Sequence, residues 1–478
     1  MSNKTIGLIA GGILLLVSTW SCKVPQNNFL KENKSLPAVY GGLSSDSVNI
    51  ADLNWRTYFA DSNLISLIDT ALAHNQELNI LQQEIQISQN EIQTRKGEYL
   101  PVVQMGAGMG AEKSARYTRF GALEEELEVK PGTPFPEPLP DFAFGLRASW
   151  EVDIWKKLRT AKQAAVVRYL ASTEGKNFMT TNLISEIASS YYELMALDNL
   201  LKIIDQNIEI QSDALNVVQQ QKAAAKVNQL AVNRFEAQLL NTKNRQFAIR
   251  QKITETENRM HFLTGQMPHA IVRNSDQYLE LNIDTLSPDG IPAQLLLNRP
   301  DIRKAELELS AAKLDVQVAR ANFLPSLSIR ADLGFQAFNP AYIVDPKSIL
   351  YNLAGELMAP LINKNAITAS YNSASSRQIQ AVYQYEQSIL NAYVDVLNQL
   401  AKVENFNKSY AMKSREVEIL TQSTQIANTL FYSARADYAE VLLTQREALE
   451  AKMDAVEIKM KQLDAKVNIY RALGGGWK

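Results

Sequence analysis

The sequence predicts a mainly α-helical chain that also carries membrane β-strands. Long helical hairpins join four strands, and one unit is used twice. Three observations point there. Lys176 to Thr264 and Leu361 to Leu473 contain neither glycine nor proline. Four segments of about ten residues alternate apolar and polar side chains, the period of a strand with two unlike faces. Leu100-Pro101 returns as Leu324-Pro325, 224 residues later, and Ala71–Leu78 returns at the same offset as Leu295–Ile302.

The chain opens with Lys4, an apolar run from Ile6 to Val17, then Ser21 and Cys22. The run is too short to span a bilayer comfortably and has the length of a signal h-region. A cysteine at its end resembles a bacterial lipoprotein signal, with Thr19 where leucine is usual. The expectation is removal of residues 1–21 and acylation of Cys22.

Each Leu-Pro opens a strand. After Pro101, Val103, Met105, Ala107 and Met109 share a face opposite Gln104, Gly106, Gly108 and Glu112. After Pro325, Leu327, Ile329, Ala331, Leu333 and Phe335 oppose Ser328, Arg330 and Asp332. The second strand of the first hairpin sets Phe142, Phe144, Leu146, Ala148, Trp150 and Val152 against Arg147, Glu151 and Asp153. The fourth, about 350–359, sets Tyr351, Leu353, Leu357 and Ala359 against Asn352, Glu356 and Met358. One apolar and one charged face is the pattern of a transmembrane barrel, and Phe142, Trp150, Phe335 and Tyr351 fit its interface girdles. Four strands cannot close a barrel, and lipid tolerates no open edge. Three chains supply twelve strands, so the expected state is a trimer with a water-filled lumen. Residues 113–140, with a Glu124–Glu128 run and five prolines, are expected to be a long solvated loop.

The breaker-free stretches consist of good helix formers with apolar residues at helical spacing, among them Leu183, Ile187, Tyr191 and Leu194. Each is expected to fold back on itself, at about 222–230 and 432–440, where small and charged residues interrupt the pattern.

Composition excludes other classes. The 478 residues hold 49 Lys plus Arg and 51 Asp plus Glu, a net charge of −2 that makes no case for nucleic acid. Mean hydropathy is −0.19, against a polytopic helical membrane protein. One cysteine and three scattered histidines offer neither a disulfide nor a metal cluster, and the methionines form no string suited to copper. No glycine-rich phosphate loop or Gly-x-Ser-x-Gly elbow is present, so neither an enzyme nor a cofactor is expected.

Asn298-Arg-Pro-Asp-Ile-Arg303 with Glu306, the paired Leu-Pro starts, Trp150-Glu-Val-Asp153 and Ala472-Leu-Gly-Gly-Gly-Trp477 together resemble the TolC/OprM-type outer-membrane efflux family, in its lipoprotein branch. The resemblance covers essentially the whole mature chain. It implies a homotrimer anchored in outer-membrane lipid of a Gram-negative bacterium, with a twelve-stranded barrel and a periplasmic helical tunnel. It also implies a periplasmic adaptor and an inner-membrane resistance-nodulation-division transporter as partners. The implied organisation is a signal at 1–21, an equatorial segment at 22–60 and a first repeat at 61–265 holding a hairpin at about 99–153. An equatorial linker at 266–290 follows, then a second repeat at 291–473 with a hairpin at about 325–360, and a tail at 474–478. Pro300 suits the first turn of a helix, with Asn298 as its cap.

The family's control point is the periplasmic tip. By position, Asp437 and Glu440 match its acidic ring, with Ala434 where a glycine is usual and Leu443 or Thr444 where a second acid would fall. Three like charges brought close would repel, attract cations and respond to low pH. Arg435 and Lys226 are the candidates for a tip latch or an adaptor contact. The competing readings are the duct of a protein secretion system and a trimeric coiled-coil rod or adhesin. An adhesin would keep its strands in one block, whereas here they are split between two repeats.

Overall fold

A computed structural model describes residues 24–26, 29–37, 53–281, 292–433 and 435–477. They form two compact units, one built around residues 86–170 and 307–382, the other around 32–85, 171–306 and 383–478.

In the first unit, β1 (Val102–Glu112), β4 (Leu139–Val152), β5 (Ser326–Ala337) and β6 (Ile349–Met358) form one antiparallel sheet in the order β1-β4-β5-β6. Its register stacks the two hairpins row by row. Met105, Leu146, Leu333 and Tyr351 make one row, and Ala107, Phe144, Phe335 and Ile349 the next. Phe144 and Phe335 stack with centroids 5.2 Å apart. The period-two pattern thus places every apolar row on one face, and that face is bare: Met105 is 83% exposed and Met109 85%. The other face carries Arg147 opposite Asp332, joined by a 2.9 Å hydrogen bond. There Gly145 faces Gly334. A Cβ at Gly145 would lie 2.6 Å from the Leu333 carbonyl oxygen, and one at Gly334 2.4 Å from that of Phe144. Glycine lets the two backbones approach closely at this point of the polar face. Tyr351 is two residues from the start of β6, in register with Leu333 of β5.

The stretch after β1 is more ordered than its composition suggests. It contains α4 (Arg119–Glu126) and a small ribbon of β2 (Glu128–Lys130) and β3 (Thr133–Pro134). The acidic run is engaged. Glu124 accepts from the Ser114 hydroxyl at 3.0 Å, Glu125 pairs with Arg116 at 3.2 Å and Glu128 accepts from the Gly132 N–H at 2.8 Å. Partners four to ten residues away along the chain hold it, which a composition argument cannot anticipate.

The helices are α1 (Trp55–Phe59), α2 (Ser62–His74), α3 (Gln76–Glu98), α5 (Lys157–Ala223), α6 (Gln229–Thr264), α7 (Leu295–Asn298), α8 (Pro300–Ala321), α9 (Asn365–Tyr432) and α10 (Tyr438–Ala472). A helix of 67 residues such as α5 extends about 100 Å. Among the described residues no helix is long and apolar enough to cross a membrane. The second unit buries Leu64, Ile68, Ile184, Ile187, Tyr191, Leu194 and Tyr470. Tyr58 stacks on Tyr470 at 4.4 Å, and their hydroxyls donate to the carbonyls of Lys466 and Leu53. After α6, Arg273 ties the following segment to two helices. It reaches Asp198 at 2.6 Å and Glu257 at 2.7 Å.

The duplication is visible in how each repeat closes in this unit. Gly265, at φ 67°, ends α6 so close to His74 that a Cβ would lie 2.4 Å from the His74 carbonyl oxygen. Gly474, at φ 94°, stands in the same relation to the Asn298 carbonyl, at 2.7 Å. Both positions need a left-handed backbone and no side chain, which only glycine supplies without strain. Beside them, the Asn75 amide donates to the Leu263 carbonyl at 2.9 Å, and the Arg299 guanidinium donates to the Ala472 carbonyl at 2.8 Å.

Candidate functional site

The breaks between the long helices fall at residues 224–228 and 433–437, inside the ranges expected from sequence. The two turns are built alike. Lys226 N–H donates to the Gln221 carbonyl and Arg435 N–H to the Leu430 carbonyl, each at 2.9 Å. Both bonds run six residues to one. In the first turn this closes a helix that ends in a left-handed residue, Ala225, at φ 56°. The side chains of Lys226 and Arg435 point outward and are exposed.

The turns differ at the start of the next helix. Asn228 caps α6, its side-chain oxygen accepting from Ala231 N–H at 3.1 Å. Asp437 holds the same position on α10, with extended backbone (φ −80°, ψ 152°), yet makes no capping hydrogen bond. Its carboxylate is exposed. Glu440 lies in the first turn of α10, also exposed, and both charges sit at the positive end of the helix dipole. One apolar cluster holds the turns together. Val218, Ala231, Val232 and Phe235 are buried, with Val227, Tyr438 and Leu442 packed against them. The structure thus brings Asp437, Glu440, Arg435 and Lys226 to one end of the helical unit. The apolar seal and the Asn228 cap were missed in sequence; a polar residue just after a helix break was the available signal for the cap.

The other functional strings meet one another. Arg299, buried, pairs with Asp301 at 2.7 Å and Asp395 at 3.4 Å, and Arg471 reaches Asp395 at 3.3 Å. Burial pulls the Arg299 guanidinium down, but the two carboxylates outweigh it and the net shift is upward. The residue between α7 and α8 is therefore Arg299 and not Asn298, which is the last residue of α7. The Asn298 carbonyl instead accepts from Trp477 Nε1 at 3.1 Å, and Arg303 lies over the Trp477 ring at 5.6 Å. Asn-Arg-Pro-Asp and Gly-Gly-Gly-Trp are two halves of one clamp. Among the histidines, His261 and His269 come together, the His269 N–H donating to His261 Nε2 at 3.2 Å. Cys22 lies outside the described residues.

A four-stranded sheet with one bare apolar face and paired charges on the other, in a chain whose helices are far longer than any globular core requires, is the pattern of a membrane channel protein. The chain belongs to the outer membrane efflux protein family, whose profile matches residues 67–266 and 291–475. It is 26% identical to the cation efflux system protein CusC of Escherichia coli, covering 95% of this chain and 93% of that one. It is 27% identical to the pyoverdine export outer membrane protein OpmQ of Pseudomonas aeruginosa, covering 100% and 98%. Against the probable outer membrane lipoprotein SilC of Salmonella typhimurium the identity is 25%, covering 100% and 98%. Among solved structures, the outer-membrane channel OprN superposes with a TM-score of 0.84 at 22% identity, covering 96% of this chain and all of that one. The open state of the Neisseria gonorrhoeae channel MtrE gives 0.82 at 22% identity, covering 95% and 98%. The fold is that of these channels, and the protein is an outer-membrane efflux duct.

Proposed function

We propose that three copies of this chain close one pore, and that the pore is the exit stage of a tripartite efflux system. The observation that carries the reading is the sheet. Its apolar face is bare, and β1 and β6 end it with one side unpaired. Lipid tolerates neither a polar edge nor an unclosed sheet, and three such sheets satisfy both demands with twelve strands. An apolar series on α9 agrees. Met412, Ile419 and Ile426 recur every seven residues and are exposed, the spacing of a seam between supercoiled helices.

In this reading the chain does no covalent chemistry. An inner-membrane resistance-nodulation-division transporter supplies the work, a periplasmic adaptor couples it to the helical tip, and small molecules leave through the lumen. Residues 61–265 and 291–473 are the two repeats, and acylated Cys22 anchors the N-terminus. Asp437 and Glu440, three of each around the axis, form a cation-attracting ring at the aperture. Arg435 and Lys226 serve as latch or adaptor contacts.

The test is single-channel conductance of the purified protein in a planar bilayer, with the oligomer's mass measured in parallel. A trimer with a cation-preferring, mostly closed pore that Asp437→Ala plus Glu440→Ala opens is the expected result. A trimer whose conductance ignores both substitutions removes the gate from these residues. A monomer that conducts nothing overturns the duct.

A further inference from the structure

The two repeats differ where each hairpin returns to its long helix, and the difference exposes a binding site. Just before each Leu-Pro stands an aromatic residue, Tyr99 in the first repeat and Phe323 in the second. The helices that follow the hairpins, α5 and α9, reach their tips at Asn228 and Asp437, 209 residues apart, so Lys162 on α5 corresponds to Tyr371 on α9. In the second repeat this junction is covered from within the chain. Phe323 meets Tyr371 edge-on, with centroids 6.1 Å apart. The Tyr371 hydroxyl donates to the Gln26 carbonyl at 2.9 Å, and Phe29 packs on Val316, Ala319 and Ala374.

In the first repeat Tyr99 and Lys162 are half-buried and Arg159 is exposed, and the junction is cationic. Lys162 Nζ stands 5.7 Å and the Arg159 guanidinium 6.0 Å from the centre of the Tyr99 ring. Two like charges stand within about 6 Å of one aromatic ring, an arrangement that an anion between them would stabilise. The carboxylate close to them is already committed. Asp153 accepts from the N–H groups of Leu158 and Arg159, caps α5 and comes only within 4.0 Å of the Arg159 side chain. Lys162 belongs to no described ion pair. The surroundings state the nature of the anion. Trp150 Nε1 donates to the Tyr99 carbonyl at 3.0 Å, and Trp150 lies on the apolar face one row from the end of β4, with Leu100 exposed. Cations therefore stand at the edge of a lipid-facing surface, at the end of the sheet from which the helices run.

We propose that Tyr99, Arg159 and Lys162 form a headgroup site for an anionic phospholipid of the leaflet at the helical end of the barrel. The phosphate sits between the two cations, and the acyl chains run up the face that holds Trp150. The second repeat needs no such lipid, because Gln26 and Phe29 occupy the matching place.

The purified full chain in neutral detergent is titrated with phosphatidylglycerol, phosphatidylcholine and inorganic phosphate, and bound lipid is read by native mass spectrometry. Each basic side chain near an anionic membrane surface contributes roughly fivefold in affinity. Arg159→Gln plus Lys162→Gln is expected to weaken phosphatidylglycerol retention on the order of twentyfold, while Lys347→Gln, beyond the other end of the sheet, leaves it unchanged. Lys162→Tyr, which copies the second repeat, is expected to keep the melting temperature and lose about fivefold. Equal retention by wild type and double variant overturns the site. So does equal retention of phosphatidylcholine, which removes the role of charge. Displacement of the lipid by inorganic phosphate at equal concentration assigns a free-anion site and overturns the lipid.

Discussion

The first repeat closes with a neutral amide and the second with a charged network, though the backbone around them is the same. Asn75 and Arg299 occupy matching positions, each donating to the carbonyl two residues before its glycine. Asn75 is satisfied by neutral partners, its oxygen accepting from the Leu78 N–H at 2.9 Å and its amide donating to the Leu263 carbonyl. Arg299 is larger and reaches Asp301 and Asp395 as well, while the Trp477 indole donates to the adjoining Asn298 carbonyl. A duplicated backbone thus fixes where a closure must be made. It leaves the chemistry free, and the second repeat has used that freedom to bind the C-terminal residues into the fold.

Substitution breaks this comparison most sharply at Arg299. Arg299→Met leaves Asp301 and Asp395 without their buried cation and is expected to cost about 3–5 kcal/mol. Asn75→Ala removes neutral hydrogen bonds and is expected to cost about 1–3 kcal/mol. Urea unfolding followed by helical circular dichroism measures both. A larger loss at Asn75 would overturn the ranking of the two closures.

A second contrast lies at Lys459 on α10 and Arg250 on α6, which also correspond. Arg250 is exposed, whereas Lys459 is buried with its ammonium 4.9 Å from the Tyr410 ring centre. Burial, with Lys466 nearby, pulls the Lys459 ammonium down to about 8. Between that value and the ordinary 10.5 the unfolded chain binds more protons, so stability rises with pH across the interval. Below pH 8 both states are charged and the cost is present in full, up to about 3 kcal/mol. Lys459→Met is expected to raise the midpoint of unfolding at pH 7 and flatten its rise between pH 8 and 10. Arg250→Met is expected to do neither.

The tips give the smallest and most selective contrast. Asn228→Ala removes a working cap and is expected to cost about 1 kcal/mol. Asp437→Ala removes a side chain that makes no cap bond and is expected to leave stability within about 0.5 kcal/mol. If Asp437 serves the aperture, only its substitution changes conductance. Paired unfolding and conductance measurements on both variants separate a structural from a gating residue.

Much of this was legible in the residues. Period-two alternation gave the four strands and their lipid-facing side, because pleating forces successive side chains to opposite faces. Breaker-free stretches gave the long helices, and small and charged residues located their turns within a few positions. The order within 113–140 was not legible, since Ser114, Arg116 and Gly132 hold the acidic run through contacts that no local pattern announces. The clamp between Asn298-Arg-Pro-Asp and Gly-Gly-Gly-Trp was visible only as two separate strings. Nothing in either shows that an arginine donates to the last helical carbonyl 173 residues away.

Local spacing settled the elements and the amphipathic sheet, because these depend on intervals of two to four residues along one chain, and the constant 224-residue offset settled the duplication. Tertiary structure alone decided which of two matching positions is buried, charged or capped. Lys459 and Arg250 are both basic and both helical, and only the packing around α10 takes one of them out of water. Tyr99 and Phe323 both precede Leu-Pro, and only the tertiary fold buries the second against Tyr371 and sets two cations beside the half-buried first.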